Sequence, residues 1–200
     1  MIENHHLNGA IVSTYQTAKK GNWCSGDSVF TVSTEEYVLI AVADGLGSGE
    51  EALEASSAAI EEIKSHHHLD VSTIMKMCNQ VLTSKRGTVL GVLKIYLAEK
   101  EMEYCNVGNI GCIFYTPSGK LDRPIPSRGY LSGKKQVFRI QRTSFEKGMT
   151  FLLYSDGLKF SPSFHTHFVE LSSPEVAISQ LTDEMQDTND DTTIVIGKII

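Results

Sequence analysis

The chain has 200 residues, of which 41% are hydrophobic and 21% are charged, and its formal net charge at pH 7 is -6. This length suits one globular domain over residues 1–200, and a domain of that size can bury a sizeable core. The acidic balance argues against nucleic acid or an anionic membrane as the main partner, because both need a basic surface.

Targeting signals and cysteine pairs are both missing from the sequence. The N-terminus lacks the basic start and apolar stretch of a signal peptide, and no apolar run approaches the roughly 20 residues that span a bilayer. The cysteines are scattered without a C-x-x-C pair, at Cys24, Cys78, Cys105 and Cys112. We expect reduced thiols rather than a zinc site or a disulfide framework, and hence the cytoplasm as the compartment. We also expect a monomer, and no membrane partner.

The first half of the chain predicts three strands followed by two helices. The strands are expected at residues 10–18, 27–33 and 37–43. The third strand is apolar at nearly every position, so both of its faces should be covered. Ser48 and Glu51 have the spacing of a capping box, which predicts a helix that begins there and ends near residues 66–68. A second helix should span residues 71–84.

The second half of the chain predicts mainly strands. They are expected at residues 88–97, 102–107, 111–115, 136–142, 149–154 and 193–199. One more helix should start after Ser173-Pro174, because proline is favourable in the first turn. Separate runs of strands and helices argue for an α+β fold. Strands that are apolar on both faces would be covered by two packed antiparallel sheets with helices outside.

Acidic residues mark the ends of four predicted strands. Two of them lie in matching steps after buried strands, Asp44-Gly45 and Asp156-Gly157, while Asp27 opens the second strand and Asp190-Asp191 precedes the last. A single Asp-Gly step is more often a hairpin turn. After Asp44, however, the chain enters a helix rather than a partner strand. Four such strand ends are therefore hard to assign to four independent turns.

Converging carboxylates predict a site for hard cations. Carboxylate and carbonyl oxygens bind Mg²⁺ or Mn²⁺, and glycine lets a carbonyl approach the ion. Without cations the carboxylates would repel each other strongly. Two neighbouring ions can share a bridging carboxylate and a bridging water, and can hold phosphoryl oxygens for in-line attack. Such a site needs no cysteine nucleophile.

An ordered set of short motifs resembles the metal-dependent type 2C (PPM) Ser/Thr protein phosphatases. Each motif alone is weak, but the set covers residues 10–199 in the family's order: Gly26-Asp27-Ser28, Val42–Gly45, Arg86–Thr88, Asn106–Asn109, Ser155–Gly157 and Asp190–Thr193. The resemblance implies a PP2C-like, four-layer α-β-β-α sandwich in which helices flank two antiparallel sheets. Further segments resemble the small phosphatases of the bacterial stressosome: Cys24–Ser28, Val42–Gly49, Glu54–Ile60 and Gly129–Lys134.

The resemblance also implies roles for the acidic residues. It makes Asp44 the carboxylate that bridges two Mn²⁺ or Mg²⁺ ions, with the Gly45 carbonyl on the first ion and Asp156 on the second. The last motif assigns Asp190 to the second ion, with Asp191 as the alternative, and Asp27 matches an acid that reaches a metal through water. Asp44 and Asp156 are thus the expected catalytic residues.

One family feature is absent from the sequence. Many members carry an arginine a few residues before the first acid, which grips the substrate phosphate, but residues 19–24 contain none. The metals alone, or Lys19 or Lys20, would then hold the phosphate, and we assign no substrate-binding residue. A third metal is not expected, because residues 108–156 leave little room for the flap that larger members carry.

The implied function is removal of phosphate from phosphoserine and phosphothreonine in proteins. The stressosome resemblance implies that the substrates are phosphorylated STAS-domain scaffold proteins of the RsbR and RsbS types, and that the protein is a negative feedback regulator of the general stress response. Two alternatives are a pseudophosphatase that only binds and a two-metal hydrolase of small phosphate esters. Retention of Asp44, Asp156 and the Asp190-Asp191 pair argues against the first alternative.

Overall fold

The protein is described by a computed structural model for residues 1–159, 164–169, 171, 173–185 and 189–200. In these residues the elements are, in chain order, β1 (Ile2–Leu7), β2 (Ala10–Thr17), β3 (Asp27–Ser33), β4 (Tyr37–Gly45), α1 (Glu50–His66), α2 (Val71–Val81), β5 (Thr88–Tyr96), β6 (Glu101–Val107), β7 (Gly111–Tyr115), β8 (Leu121–Asp122), β9 (Gln141–Ser144), β10 (Thr150–Tyr154), α3 (Phe164–Val169), α4 (Pro174–Glu184) and β11 (Thr192–Ile199).

These strands form two antiparallel sheets that pack face to face. One has the order β1-β2-β11-β10-β7-β8 and the other β3-β4-β5-β6-β9. Apolar side chains of both sheets fill the space between them, including Val42 of β4 and Leu153 of β10. Helices α1 and α2 cover the outer face of the five-stranded sheet, and α3 and α4 cover that of the six-stranded sheet. The predicted four-layer α-β-β-α sandwich is therefore confirmed. None of the helices in the described residues is long and apolar enough to cross a membrane.

Helix α1 packs closely on β4 because its inward residues are small. Its buried stripe contains Ala52, Ala55 and Ala59. The larger side chains of Ile60 and Ile63 complete the buried face towards the end of the helix. The predicted capping box is wrong. The N-cap is Gly49, which makes no side-chain cap, and Glu51 instead forms an ion pair with Arg86 at 2.8 Å.

Three strands differ from the prediction: β1 and the two-residue strand β8 were not predicted, and β9 is shorter than expected. The sequence did not predict β1, because this edge strand is mostly polar and exposed. It nevertheless pairs with β2 along its whole length. The strand predicted at residues 136–142 begins only at Gln141, since residues 136–140 lie outside any strand. Apolar content alone could not separate that irregular segment from a short edge strand.

Candidate metal centre

The strand-end acids meet at one end of the sandwich. Antiparallel pairing of β3 with β4 places Asp27 directly opposite Asp44. Side chains alternate along a strand, so Asp44 points into the layer between the sheets, as Val42 does. In the other sheet, Asp156 follows β10, and Asp190 and Asp191 precede its antiparallel neighbour β11. The five acids thus lie at the same end of the two sheets.

Asp27 joins the two sheets through a buried hydrogen-bond network. The Ser155 hydroxyl donates to Asp27 Oδ2 at 2.7 Å, and the Thr193 backbone N–H donates to Ser155 Oγ at 2.8 Å. The Gln16 side chain donates to the Asp27 carbonyl at 2.9 Å. Among the described residues, however, none hydrogen-bonds to the second carboxylate oxygen, Asp27 Oδ1, although it is buried. A buried oxygen of this kind calls for a cation, an ordered water or a proton.

The carboxyl groups share one electrostatic environment. Burial raises the pKa of Asp44 from 3.8 to about 8, with further contributions from the negative charges of Asp27, Asp156 and Asp190. Burial likewise raises the pKa of Asp27 to about 6, against the opposing hydrogen bonds from Ser155 and Thr193. The site therefore disfavours negative charge when it holds no counter-ion, and a divalent cation would relieve this penalty.

Each Asp-Gly step contains glycine because another backbone approaches it closely. A Cβ atom on Gly45 would lie 1.9 Å from the Ala52 carbonyl oxygen in the first turns of α1. A Cβ atom on Gly157 would lie 2.2 Å from the Asp191 carbonyl oxygen. The first contact seats α1 against the end of β4, and the second holds the Asp156 turn against the start of β11. The backbone at Asp44 is fixed in addition by the Thr88 hydroxyl, which donates to the Asp44 carbonyl at 2.6 Å.

The neighbours Asp190 and Asp191 differ sharply in their surroundings. Asp191 is 5% exposed. Its two carboxylate oxygens accept hydrogen bonds from the backbone N–H groups of Lys19 at 2.8 Å and Gly26 at 2.9 Å. Asp190 is exposed, and its charge raises the pKa of both Asp44 and Asp156. Asp191 thus anchors the loop between β2 and β3, whereas Asp190 is exposed and acts on Asp44 and Asp156 through its charge.

Sequence reasoning missed two side chains that orient the acids. Asn109 donates from Nδ2 to Asp156 Oδ2 at 2.6 Å. Ser155 contacts Asp27, as described above. Both residues belong to motifs that carried the resemblance, and Asn109 follows Gly108, whose φ of 101° marks a sharp turn. The sequence could have indicated a turn at Asn109. It could not have indicated the contact with Asp156, because that residue is 47 positions away in sequence.

The donor set suits a hard, partly hydrated cation. In the described part of the chain, no three His, Cys, Asp or Glu side chains converge closely enough to enclose an ion by themselves. Mg²⁺ characteristically keeps several waters and takes only one or two carboxylates. Carboxylates at the mouth of a sandwich, together with a backbone carbonyl and water, therefore fit Mg²⁺ or Mn²⁺ and do not resemble a thiolate or imidazole site.

Comparisons with known proteins agree with this geometry. A profile of the family described as Stage II sporulation protein E (SpoIIE) matches residues 34–199. The phosphoserine phosphatase RsbX of Bacillus subtilis is 36% identical over 197 residues, which cover 98% of this chain and 97% of that protein. A crystal structure of RsbX in complex with magnesium matches with a TM-score of 0.94 and 34% identity, over 100% of both chains. A structure from work on the bacterial stressosome, at 23% identity, matches with a TM-score of 0.85 over 96% of this chain and 100% of its own, and shares the fold.

Proposed function

We propose that this protein is a Mn²⁺- or Mg²⁺-dependent phosphatase of stressosome phosphoproteins. The premise is that the chain belongs to the SpoIIE family of PP2C-like phosphatases and is a homologue of the phosphoserine phosphatase RsbX. The observation that carries the proposal is the group of acids at one end of the sandwich. There the pKa of Asp44 is raised to about 8, and a buried carboxylate oxygen of Asp27 has no hydrogen-bond partner among the residues that the structure describes. That arrangement is costly for a folded protein unless it binds cations.

We assign the cation ligands as follows. Asp44 lies opposite Asp27 of its own sheet, and the charges of Asp156 and Asp190 at the end of the other sheet raise its pKa, which suits a carboxylate shared by two ions. The Gly45 carbonyl would serve the first ion, Asp156 and Asp190 the second, and Asp27 would act through water. When bound, such ions lower the pKa of a coordinated water and stabilise the negative charge of the phosphoryl oxygens.

The side chains around these ligands keep them oriented. Asn109 holds one oxygen of Asp156, which leaves the other oxygen to face the site. Ser155 does the same for Asp27, and Thr88 restrains the peptide that links Asp44 to Gly45. Partners of this kind set the direction of a metal ligand's lone pairs, and their loss commonly costs about 10- to 100-fold in metal affinity or activity.

The contrast between Asp190 and Asp191 yields a prediction with two variants. Asp190→Asn should weaken Mn²⁺ binding by roughly tenfold or more without lowering stability in EDTA, because it removes a ligand charge from an exposed position. Asp191→Ala should lower the free energy of unfolding in EDTA by about 1–3 kcal/mol, because the backbone N–H groups of Lys19 and Gly26 lose their acceptors. Calorimetric Mn²⁺ titration and urea unfolding measure the two effects. If the Asp191 variant alone lost metal affinity and kept its stability, the assignment would be reversed.

We propose phosphorylated STAS-domain proteins of the RsbR and RsbS types as substrates, and the cytoplasm as the compartment. The similarity to RsbX along nearly the whole of both chains supports the substrate class. The cysteines are free thiols, and Cys78, Cys105 and Cys112 are buried, in keeping with a reducing compartment. Removal of these phosphates would make the protein a negative feedback regulator of the general stress response.

The direct test is release of phosphate by the purified protein. We expect release from a phosphorylated RsbS-type protein in Mn²⁺ or Mg²⁺, and none in EDTA. Hydrolysis of p-nitrophenyl phosphate under the same conditions reports on the metal chemistry alone. Turnover of the small ester without turnover of the phosphoprotein would contradict the substrate assignment, and failure on both substrates with metal bound would contradict the phosphatase assignment.

A further inference from the structure

Basic residues are concentrated in one stretch of this acidic chain. Six of the 18 lysine and arginine residues fall between Arg123 and Arg142, and that stretch contains no aspartate or glutamate. The chain as a whole carries a formal net charge of -6, so this concentration opposes the overall balance. Residues 123–140 contain no helix or strand, which leaves them as an irregular surface segment. We call residues 123–140 the basic segment.

Hydrogen bonds tie the middle of the basic segment to the end of the sandwich that carries the acids. The Ser127 N–H donates to the Asn106 carbonyl at 3.1 Å, and the Gly108 N–H donates to the Ser127 carbonyl at 2.8 Å. Leu131 is fully buried and exchanges backbone hydrogen bonds of 2.8 and 3.1 Å with Thr88. Thr88 also bonds to the Asp44 carbonyl, so this part of the segment borders the candidate metal centre.

A buried asparagine fixes the next turn of the basic segment. Asn79 of α2 is 7% exposed, and its Oδ1 accepts from the backbone N–H groups of Ser132 and Gly133, both at 3.1 Å. Its Nδ2 donates to the Lys134 carbonyl at 2.8 Å. The backbone that carries the basic side chains is therefore held in place, and a partner would not have to order it first.

The exposed side chains of the basic segment have the composition of a protein-binding surface. Four basic side chains are exposed and form no ion pair within the described residues: Arg128, Lys134, Lys135 and Arg139. Large apolar side chains are exposed among them, with Ile125 at 64%, Tyr130 at 43% and Val137 at 85%. Interleaved apolar and arginine side chains are typical of protein interfaces, whereas a nucleic-acid surface depends mainly on positive charge.

We propose that the basic segment docks an acidic face of the phosphoprotein on which the neighbouring metal centre acts. This inference rests on the proposed function. A substrate that carries phosphate and acidic residues would be opposed by the chain's net charge of -6, so a basic surface beside the site would supply the complementary charge. The segment borders the Asp44 end of the sandwich, so a protein bound there would bring its phosphorylated residue towards the acids.

The test reverses charge at two positions that lie outside the metal centre. Lys134→Glu/Lys135→Glu is compared with a control of equal charge change, Lys120→Glu/Lys147→Glu. Both control residues are exposed: Lys120 follows the end of β7, and Lys147 precedes the start of β10. These strand ends lie at the end of the sandwich opposite the acids. Initial rates are measured with Mn²⁺ on a phosphorylated RsbS-type protein and on p-nitrophenyl phosphate. Both are measured at about 50 and about 300 mM salt, a change that shortens the Debye length by about half or more. Thermal unfolding shows whether the variants are folded.

We expect Lys134→Glu/Lys135→Glu to lower kcat/KM for the phosphoprotein by about tenfold or more at low salt, and by less at high salt, because steering by charge is screened. Its rate on p-nitrophenyl phosphate and both rates of the control should stay within about twofold of wild type. An equal loss on both substrates, an equal loss in the control, or no loss would overturn the docking surface. In each of those outcomes the wild-type protein is still an active phosphatase. If the proposed function were wrong, the wild-type protein itself would be inactive, so the two failures can be told apart.

Discussion

Asp44→Asn should reduce phosphate release on the order of 10³-fold or more while the protein stays folded, because loss of the shared carboxylate removes several kcal/mol of transition-state stabilisation. Asparagine preserves the shape of the side chain and its packing. It also removes a carboxyl group that, without metal, must take up a proton on folding or carry a charge close to Asp27, Asp156 and Asp190. The metal-free variant should therefore unfold at the same temperature as wild type or a higher one.

The measurement is the rate of phosphate release from p-nitrophenyl phosphate and phosphoprotein, together with thermal unfolding in EDTA. Asp122→Asn is the matched control, since Asp122 is an exposed acid on the edge strand β8. The control should keep wild-type activity and show no gain in stability. Turnover by Asp44→Asn at the wild-type rate would refute the shared-ligand role, and a large loss of stability would show that Asp44 serves the fold instead.

The metal-free protein should lose stability as the pH rises from about 4 to about 8, and bound Mn²⁺ should abolish most of that loss. Burial raises the pKa of Asp27 to about 6 and that of Asp44 to about 8, compared with 3.8 for an unperturbed aspartate. A carboxyl group with a higher pKa in the folded state holds its proton more tightly there. Its contribution to stability is complete below about pH 4 and is lost as the pH passes through the folded-state pKa.

The expected loss is on the order of a few kcal/mol, since each unit of pKa shift corresponds to about 1.4 kcal/mol and the two groups do not titrate independently. Urea unfolding at pH 5, 6.5 and 8 measures it, in EDTA and in Mn²⁺. Asp44→Asn provides the internal reference, because the difference between its curve and the wild-type curve isolates the contribution of Asp44. If the free energy of unfolding fell by the same amount between pH 5 and pH 8 in the wild type and in Asp44→Asn, Asp44 would not titrate in the predicted range.

Much of the fold could be predicted from local sequence. The apolar runs at β4 and β10 predicted strands covered on both faces, and Val38–Ala43 is fully buried between the other sheet and α1. The polar strand β1 was not predictable in this way, since pairing with β2 rather than hydrophobic periodicity makes it a strand. The start of α1 was predicted for a reason that proved wrong, because Glu51 pairs with a distant arginine instead of capping the helix.

The sequence by itself determined which acids end strands, because Asp-Gly steps after apolar runs are a local pattern and the order of the motifs identifies the family. Only the tertiary structure distinguished the surroundings of neighbouring residues. Asp190 and Asp191 are adjacent and chemically identical, but Asp190 is exposed, whereas Asp191 is buried and its carboxylate binds the backbone of residues 19 and 26. Those contacts join positions more than 160 residues apart. A buried carboxylate acquires its pKa and its partners from whatever the fold packs against it, and no local pattern contains that information.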